Sequence, residues 1–265
     1  MIFANLSGGR DSTAMVVKWL EMGERLDYVL FCDTGFEFPA MYEYIDKIEA
    51  YLKRNFKLDL TRLDSSGEMQ KWAFEYPITR GEREGRLRGL PMRVLRDYCT
   101  RQTKIIPSRE FIKSKSPQRF KNSVLIGYTA DEVARGRVSN LDYATARYPL
   151  AEWGWNEKEV SGFLKSRDIM NPLYERFERT GCFLCPKQNL KAFETLFKHY
   201  PQQWEVMKEW ENKARRLNCV NQQWHDKFTL DELETHFKQN AAGLFDECEL
   251  ENERFSLMET CFCKG

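Results

Sequence analysis

Near the amino terminus, the run Ser7-Gly-Gly-Arg-Asp-Ser-Thr13 carries the chemistry of an anion cradle. Gly8 and Gly9 allow backbone conformations and a close approach that a Cβ would block. Set between a strand and a helix, the run points successive N–H groups and the positive helix end at bound phosphate. Ser7, Ser12 and Thr13 add hydroxyl donors beside Arg10. Asp11 is too acidic to touch phosphate and is assigned to Mg²⁺ or to fixing the loop. The Walker spacing G-x-x-x-x-G-K-[ST] is absent. The plain alternative is an ordinary glycine turn. The position, after an apolar strand and before an amphipathic helix, favours the cradle.

The chain has eight cysteines. Disulfides are unfavourable in a cytosolic protein, so metal, cluster or sulfur chemistry is the stronger reading. Cys182-Phe-Leu-Cys185 is a chelating pair, a spacing shared by redox sites, zinc sites and clusters. Cys99 opens the segment Cys-Thr-Arg-Gln-Thr-Lys104, and Cys248, Cys261 and Cys263 are further thiols. Cys32 lies in an apolar strand pattern and reads as a small core residue, and Cys219 reads the same way.

Arg80, Arg83, Arg86, Arg88, Arg93, Arg96, Arg101 and Lys104 outnumber Glu82, Glu84 and Asp97 in one stretch. Guanidinium forks suit phosphate, so the stretch is a candidate grip on a nucleotide or a nucleic-acid backbone. A solvated loop explains Arg83 and Arg86 equally well, since they alternate with glutamates. Asp131, Glu132 and Arg135 could position Mg²⁺ or an acceptor; helix capping and an i,i+4 pair explain them as well.

These residues need a scaffold. Apolar runs at Ile2–Leu6, Tyr28–Cys32, Leu58–Leu63 and Ser123–Gly127 read as buried strands, and Thr13–Met22 and Met41–Leu52 as helices. Strands alternating with helices predict a doubly wound parallel α/β sheet with ligands at the carboxyl ends of its strands. Tyr76–Gly89, rich in Gly and Arg, reads as a mobile loop. Asn156–Arg167, Lys191–Tyr200, Gln202–Leu217 and Leu230–Lys238 read as helices, with Pro201 dividing two of them. The aromatics after residue 150, Tyr174 and Trp204 among them, recur at helical spacing and are assigned to core. The expected organisation is a nucleotide-binding domain at 1–150, a helical cysteine-bearing region at 151–245 and a tail at 246–265. A net charge of +1 says nothing about partners. No run is long enough to span a membrane, and the opening strand is too short for a signal peptide, so a cytoplasmic location is expected.

The segment Ser7–Ser12 resembles the PP-loop of N-type ATP pyrophosphatases and phosphoadenosine-phosphosulfate (PAPS) reductases. Phe31-Cys-Asp-Thr-Gly35 with Glu37-Phe-Pro39 and Tyr42 is similar to the second-strand motif of the reductase branch. Cys99–Lys104 with Pro107, Gly127-Tyr-Thr-Ala-Asp131-Glu132, Arg147–Leu150 with Trp153, and Gly181–Pro186 follow in consistent order over about residues 1–200. The resemblance implies a PP-loop fold that binds an adenine nucleotide such as ATP, with Mg²⁺. It places Asp33, Thr34 and Gly127 at the nucleoside and Arg101 and Lys104 near the phosphates. It also implies that Cys99, Cys182 and Cys185 could hold a [4Fe-4S] cluster with one iron open to sulfide or persulfide, or else zinc, or stand as free thiols, Cys261 or Cys263 being candidate fourth ligands. The implied reactions are adenylation of an acceptor followed by sulfur transfer, or sulfonucleotide reduction. Asp11 and Lys104 would serve the first and Cys263 the second, although the tail lacks the Gly and His of the reductase segment. A non-catalytic nucleotide-binding subunit with structural zinc is the third reading. Within the first class the motifs look most like the ATP-pyrophosphatase components of DNA phosphorothioate modification, which implies DNA as acceptor and a cysteine desulfurase or other sulfur donor as partner.

Overall fold

A computed structural model describes residues 1–92, 98–116, 118 and 121–241. Arg93, Arg96, Cys248, Cys261, Cys263 and the expected tail at 246–265 lie outside the described residues. The described chain forms two compact units, residues 1–71 with 98–185, and residues 72–92 with 186–241.

The first unit is a parallel sheet of five strands in the order β3-β2-β1-β4-β5. They are β1 (Ile2–Asn5), β2 (Tyr28–Asp33), β3 (Leu60–Asp64), β4 (Ser123–Leu125) and β5 (Thr145–Arg147). The helices, in chain order, are α1 (Arg10–Glu21), α2 (Pro39–Phe56), α3 (Glu68–Phe74), α4 (Tyr98–Thr100), α5 (Ile106–Lys115), α6 (Ala130–Ala134), α7 (Pro149–Glu152) and α8 (Glu157–Lys165). Phe3, Leu30, Ile112, Val124, Tyr143 and Ala144 form one buried cluster that ties β1, β2 and β4 to α5. α2 shows how pattern becomes packing. Pro39 opens it with a preset φ, and Met41, Tyr44, Ile45, Ile48 and Leu52 fall on one buried face. The chain moves from β1 outward to β3, then returns to β4 on the other side of β1. The crevice between β1 and β4 is therefore the topological switch point, where open parallel sheets bind ligands. β5 is a strand that the sequence pattern did not reveal; only Ala146 interrupts its polar residues, and pairing with β4 supplies what periodicity lacks.

In the second unit, α9 (Leu190–His199), α10 (Pro201–Arg216) and α11 (Leu230–Ala241) match the helical spans read from the sequence. Trp204 packs against Phe197 and Phe237, as expected of core aromatics. Glu211 is 2% exposed, and its carboxylate accepts from the amides of Trp224 and Leu230 and pairs with Arg215. The segment Tyr76–Gly89, expected to be mobile, is instead stitched in place. Its Ile78 and Arg86 are joined by a backbone hydrogen bond of 2.9 Å, and Leu87 and Arg88 accept from Val220 and Asn221. Arg86 donates to the carbonyls of Asn218 and Cys219, and Arg88 stacks over Trp72. Two arginines of the basic stretch thus serve the fold of this unit.

Candidate nucleotide and thiol site

The glycine loop joins β1 to α1 at the switch point. Gly8 has φ +77°, and a Cβ there would run into Met41 Sδ, so the loop needs glycine at this position. Gly9 is the N-cap of α1. The first amides of a helix lack intrahelical acceptors. One of them, the Arg10 N–H, donates to the Tyr174 hydroxyl at 3.0 Å. Ser7 and Ser12 brace the loop from within: Ser12 Oγ accepts from the Ser7 amide at 3.1 Å and donates to the Gly9 carbonyl at 3.2 Å. Gly127, just beyond β4, lies against the same helix end. A Cβ at 127 would stand 2.8 Å from the Ser12 nitrogen, so a side chain here would press on the amide end of α1.

Asp11 Oδ1 is buried without a hydrogen-bond partner. Burial pushes this carboxyl up to about 6, with Glu132 adding to the rise and Arg10 opposing it. A buried carboxylate oxygen beside a second acid is a fitting ligand for a divalent cation. Glu132 is the capping-box partner of Thr129, its Oε2 accepting from the Thr129 amide at 3.0 Å, and it pairs with Arg137.

At the end of β2, Asp33 Oδ1 accepts from the Gly35 amide (2.8 Å) and the Tyr42 hydroxyl (2.7 Å). Thr34 is buried and donates to the equally buried Glu37 at 3.1 Å. Burial raises the Glu37 carboxyl, and the Lys104 ammonium and the Thr34 hydroxyl oppose the rise. Between α4 and α5 the helix opens into a π-turn, Arg101–Ile105, a distortion frequent at functional sites. Ser65 couples this turn to the sheet edge, its hydroxyl lying 2.7 Å from the Asp33 carbonyl and 2.8 Å from that of Thr103. Cys32, read as a core residue, is half-buried; its thiol bonds the Lys104 carbonyl and the Ser108 hydroxyl, and burial raises it.

Lys104 is charge-coupled to the acid and thiols of the second half of the site. Burial alone would depress its ammonium, but Glu37 and then Cys182, Cys99 and Cys185 hold it above the ordinary lysine value. Cys99 and the distant pair Cys182 and Cys185 therefore all act on the charge of one lysine. Phe183, between Cys182 and Cys185, fixes their loop: its amide donates to the Phe36 carbonyl at 2.9 Å, and its ring meets Phe36 and Phe38 edge-on. Among the described residues, no three His, Cys, Asp or Glu side chains are grouped so as to hold a metal ion. Arg101 is exposed.

Several residues of this site escaped the sequence reading. Tyr174, assigned there to core, sits half-buried on the glycine loop with Arg10 over its ring at 4.6 Å. Buried Asn171 donates to the Gly8 carbonyl at 2.8 Å, and Thr180 donates to Tyr174. Glu37 stood inside a quoted motif without a role. An acid placed among Phe36, Phe38 and Pro39 was the one available signal.

The chain is 26% identical over 224 residues to an uncharacterised protein of Methanocaldococcus jannaschii, with 81% of this chain and 41% of that protein aligned. It is 26% identical over 226 residues to a second uncharacterised protein of the same organism, with 82% and 48% aligned. The chain thus spans less than half the length of these curated relatives. Among solved structures it is similar to a PAPS reductase from Candida auris in its phosphate complex (TM-score 0.45, 14% identity, 68% of this chain and 80% of that one). It is also similar to the U34-tRNA thiolase NcsA from Methanococcus maripaludis with its [4Fe-4S] cluster (TM-score 0.40, 10% identity, 88% and 80%). No helix among the described residues is long and apolar enough to cross a membrane. Residues 1–188, the greater part of the chain and the part that holds the loop, Lys104 and the paired cysteines, match the model of the phosphoadenosine phosphosulfate reductase domain, and the chain belongs to that family.

Proposed function

We propose that this protein is an ATP pyrophosphatase that adenylates an acceptor and then supports sulfur transfer to it. The observation that carries the reading is the glycine loop at the switch point, with Gly127 against the amide end of α1 and a buried, unpartnered Asp11 oxygen, in the same unit as Lys104, Cys99, Cys182 and Cys185. ATP lies with its β- and γ-phosphates at the start of α1, where the loop amides and Ser12 receive the charge. Asp11 is the residue that would hold Mg²⁺, which would screen the phosphates. The acceptor oxygen attacks the α-phosphorus, the bond to the bridging oxygen breaks, and pyrophosphate leaves. Lys104 faces the charge that builds there, with Arg101 at the exposed side.

Sulfur enters as a persulfide on one cysteine, delivered by a cysteine desulfurase or another donor. Its terminal sulfur displaces AMP from the adenylated acceptor, and a neighbouring thiolate resolves the mixed disulfide to leave a cysteine disulfide. The C-x-x-C pair suits that two-thiol sequence. Cys99, Cys182 and Cys185, with Cys261 or Cys263, are also the residues that would hold a cluster or zinc; among the described residues, Cys99, Cys182 and Cys185 are not grouped around an ion. The thiols alone suffice for this sulfur step. DNA is the acceptor class we favour, on the motif resemblance and the arginine-rich stretch.

Family membership favours one second reading, release of sulfite from PAPS with thioredoxin. The two readings separate in one assay. Mg²⁺-dependent pyrophosphate release from ATP, lost on Asp11→Asn, supports adenylation. Sulfite release from PAPS without ATP or Mg²⁺, lost on Cys263→Ser, overturns it. Iron, sulfide and zinc measured after anaerobic purification decide the thiol chemistry: iron and sulfide lost on Cys182→Ala would move the sulfur step from persulfide to cluster.

A further inference from the structure

The turn Asn171–Glu175 hangs from the glycine loop at two points. Asn171 Nδ2 donates to the Gly8 carbonyl, and the Tyr174 phenolic oxygen accepts from the Arg10 amide at 3.0 Å. That same oxygen accepts from the Thr180 hydroxyl at 3.2 Å. A phenol that accepts twice still carries its own proton to donate. Its position is telling: the Tyr174 and Thr180 oxygens stand 3.5 and 3.6 Å from where a Cβ on Gly9 would be, at the mouth of the loop. An anion at the first turn of α1 is the natural acceptor for that proton.

We propose that Tyr174 donates to the phosphate chain held in the glycine loop, and that Thr180 transmits occupancy of the loop to the Cys182–Cys185 segment. This inference rests on the nucleotide reading above. The mechanical link is short. Thr180 hangs on Tyr174, Phe183 is clamped to the Phe36 carbonyl and the Phe36 and Phe38 rings, and only Gly181 and Cys182 lie between. Nothing lies within 4 Å of where a Cβ on Gly181 would be, and glycine turns freely, so a change at Thr180 is passed through Gly181 to Cys182. Loop occupancy pulls the Tyr174 proton toward phosphate, tightens its acceptance from Thr180, and resets the exposure of the first thiol. Tyr174 is thus a binding residue and Thr180 a positioning residue. Together they order the reaction, presenting the sulfur only once the phosphates are seated.

The test uses inorganic pyrophosphate and ATP as probes. Affinity is measured by titration calorimetry, and iodoacetamide labelling of Cys182 and Cys185 is timed by mass spectrometry with and without saturating pyrophosphate. Tyr174→Phe keeps the ring beneath Arg10 and is expected to weaken pyrophosphate about tenfold, the loss of one hydrogen bond to a charged group. Wild type and Thr180→Ser are expected to change their Cys182 labelling rate when pyrophosphate binds, whereas Tyr174→Phe and Thr180→Val do not. Tyr174→Phe binding pyrophosphate as tightly as wild type, or Thr180→Val keeping the wild-type labelling response, overturns the proposal alone. Wild type that binds neither pyrophosphate nor ATP overturns the nucleotide reading and this inference with it.

Discussion

The glycine loop and the thiol group serve one sheet edge, yet they are assembled in opposite ways. The loop is contiguous: Ser7 to Thr13 contains its own glycines, hydroxyls and helix start, and its internal bonds run over at most a few residues. The thiol group is collected from far apart. Glu37 follows β2, Cys99 lies in α4 and Lys104 in the π-turn after it, and Cys182 and Cys185 arrive after β5 and α8, held by Phe183 on Phe36. A contiguous site is strained locally and fails when its backbone is crowded. A collected site depends on charge and on the contacts that gather its members.

Crowding should therefore give the largest effect. Gly127→Val puts branched carbon against the Ser12 nitrogen, where the neighbour is backbone and cannot swing away. Overpacking of this kind costs about 1–3 kcal/mol, so ATP affinity by titration is expected to fall on the order of tenfold to a hundredfold. Unchanged affinity would mean that Gly127 serves strand–helix packing alone. Next comes charge. Lys104→Met removes the cation that favours thiolate, and iodoacetamide labelling of Cys99, Cys182 and Cys185 at neutral pH is expected to slow about tenfold, because the thiolate is the reactive form. Equal labelling would detach the lysine from the thiols and leave it to the phosphates. The smallest effect belongs to Glu157→Gln, which breaks the Arg10 pair at 3.2 Å. Glu157 is 70% exposed, so the pair is expected to contribute less than about 1 kcal/mol to stability by denaturant titration. A larger loss would show that Arg10 is held by its acid more than by the Tyr174 ring.

The same contrast explains what could be read in advance. The loop was legible because its residues are neighbours and glycine has a specific conformational use there. The three thiols were legible as chemistry, and family-like spacing suggested that they meet. The charge coupling of Lys104 to Glu37 and the thiols, and Ser65 joining the π-turn to β2, are not legible as a unit, since nothing in local spacing sets their separation. Tyr174 reads as core for a related reason. Periodicity sees an aromatic at helical spacing and predicts burial, but a phenol also carries a hydroxyl, and only the folded chain shows that it lands on the Arg10 amide. β5 went unseen because its three residues carry no alternating pattern and become a strand only through β4.

By itself, the sequence determined the alternation of strands and helices, the glycine loop, the helices of the second unit and the inventory of thiols, all features set by periods and neighbours of a few residues. Tertiary structure decided the strand order that puts the switch point between β1 and β4, the charge coupling of Lys104 to Glu37 and the cysteines, and the seat of Tyr174 and Thr180 on the glycine loop. Those depend on contacts between residues as much as 164 positions apart, as from Arg10 to Tyr174. Such contacts come from how buried faces pack against each other, and no local pattern encodes that.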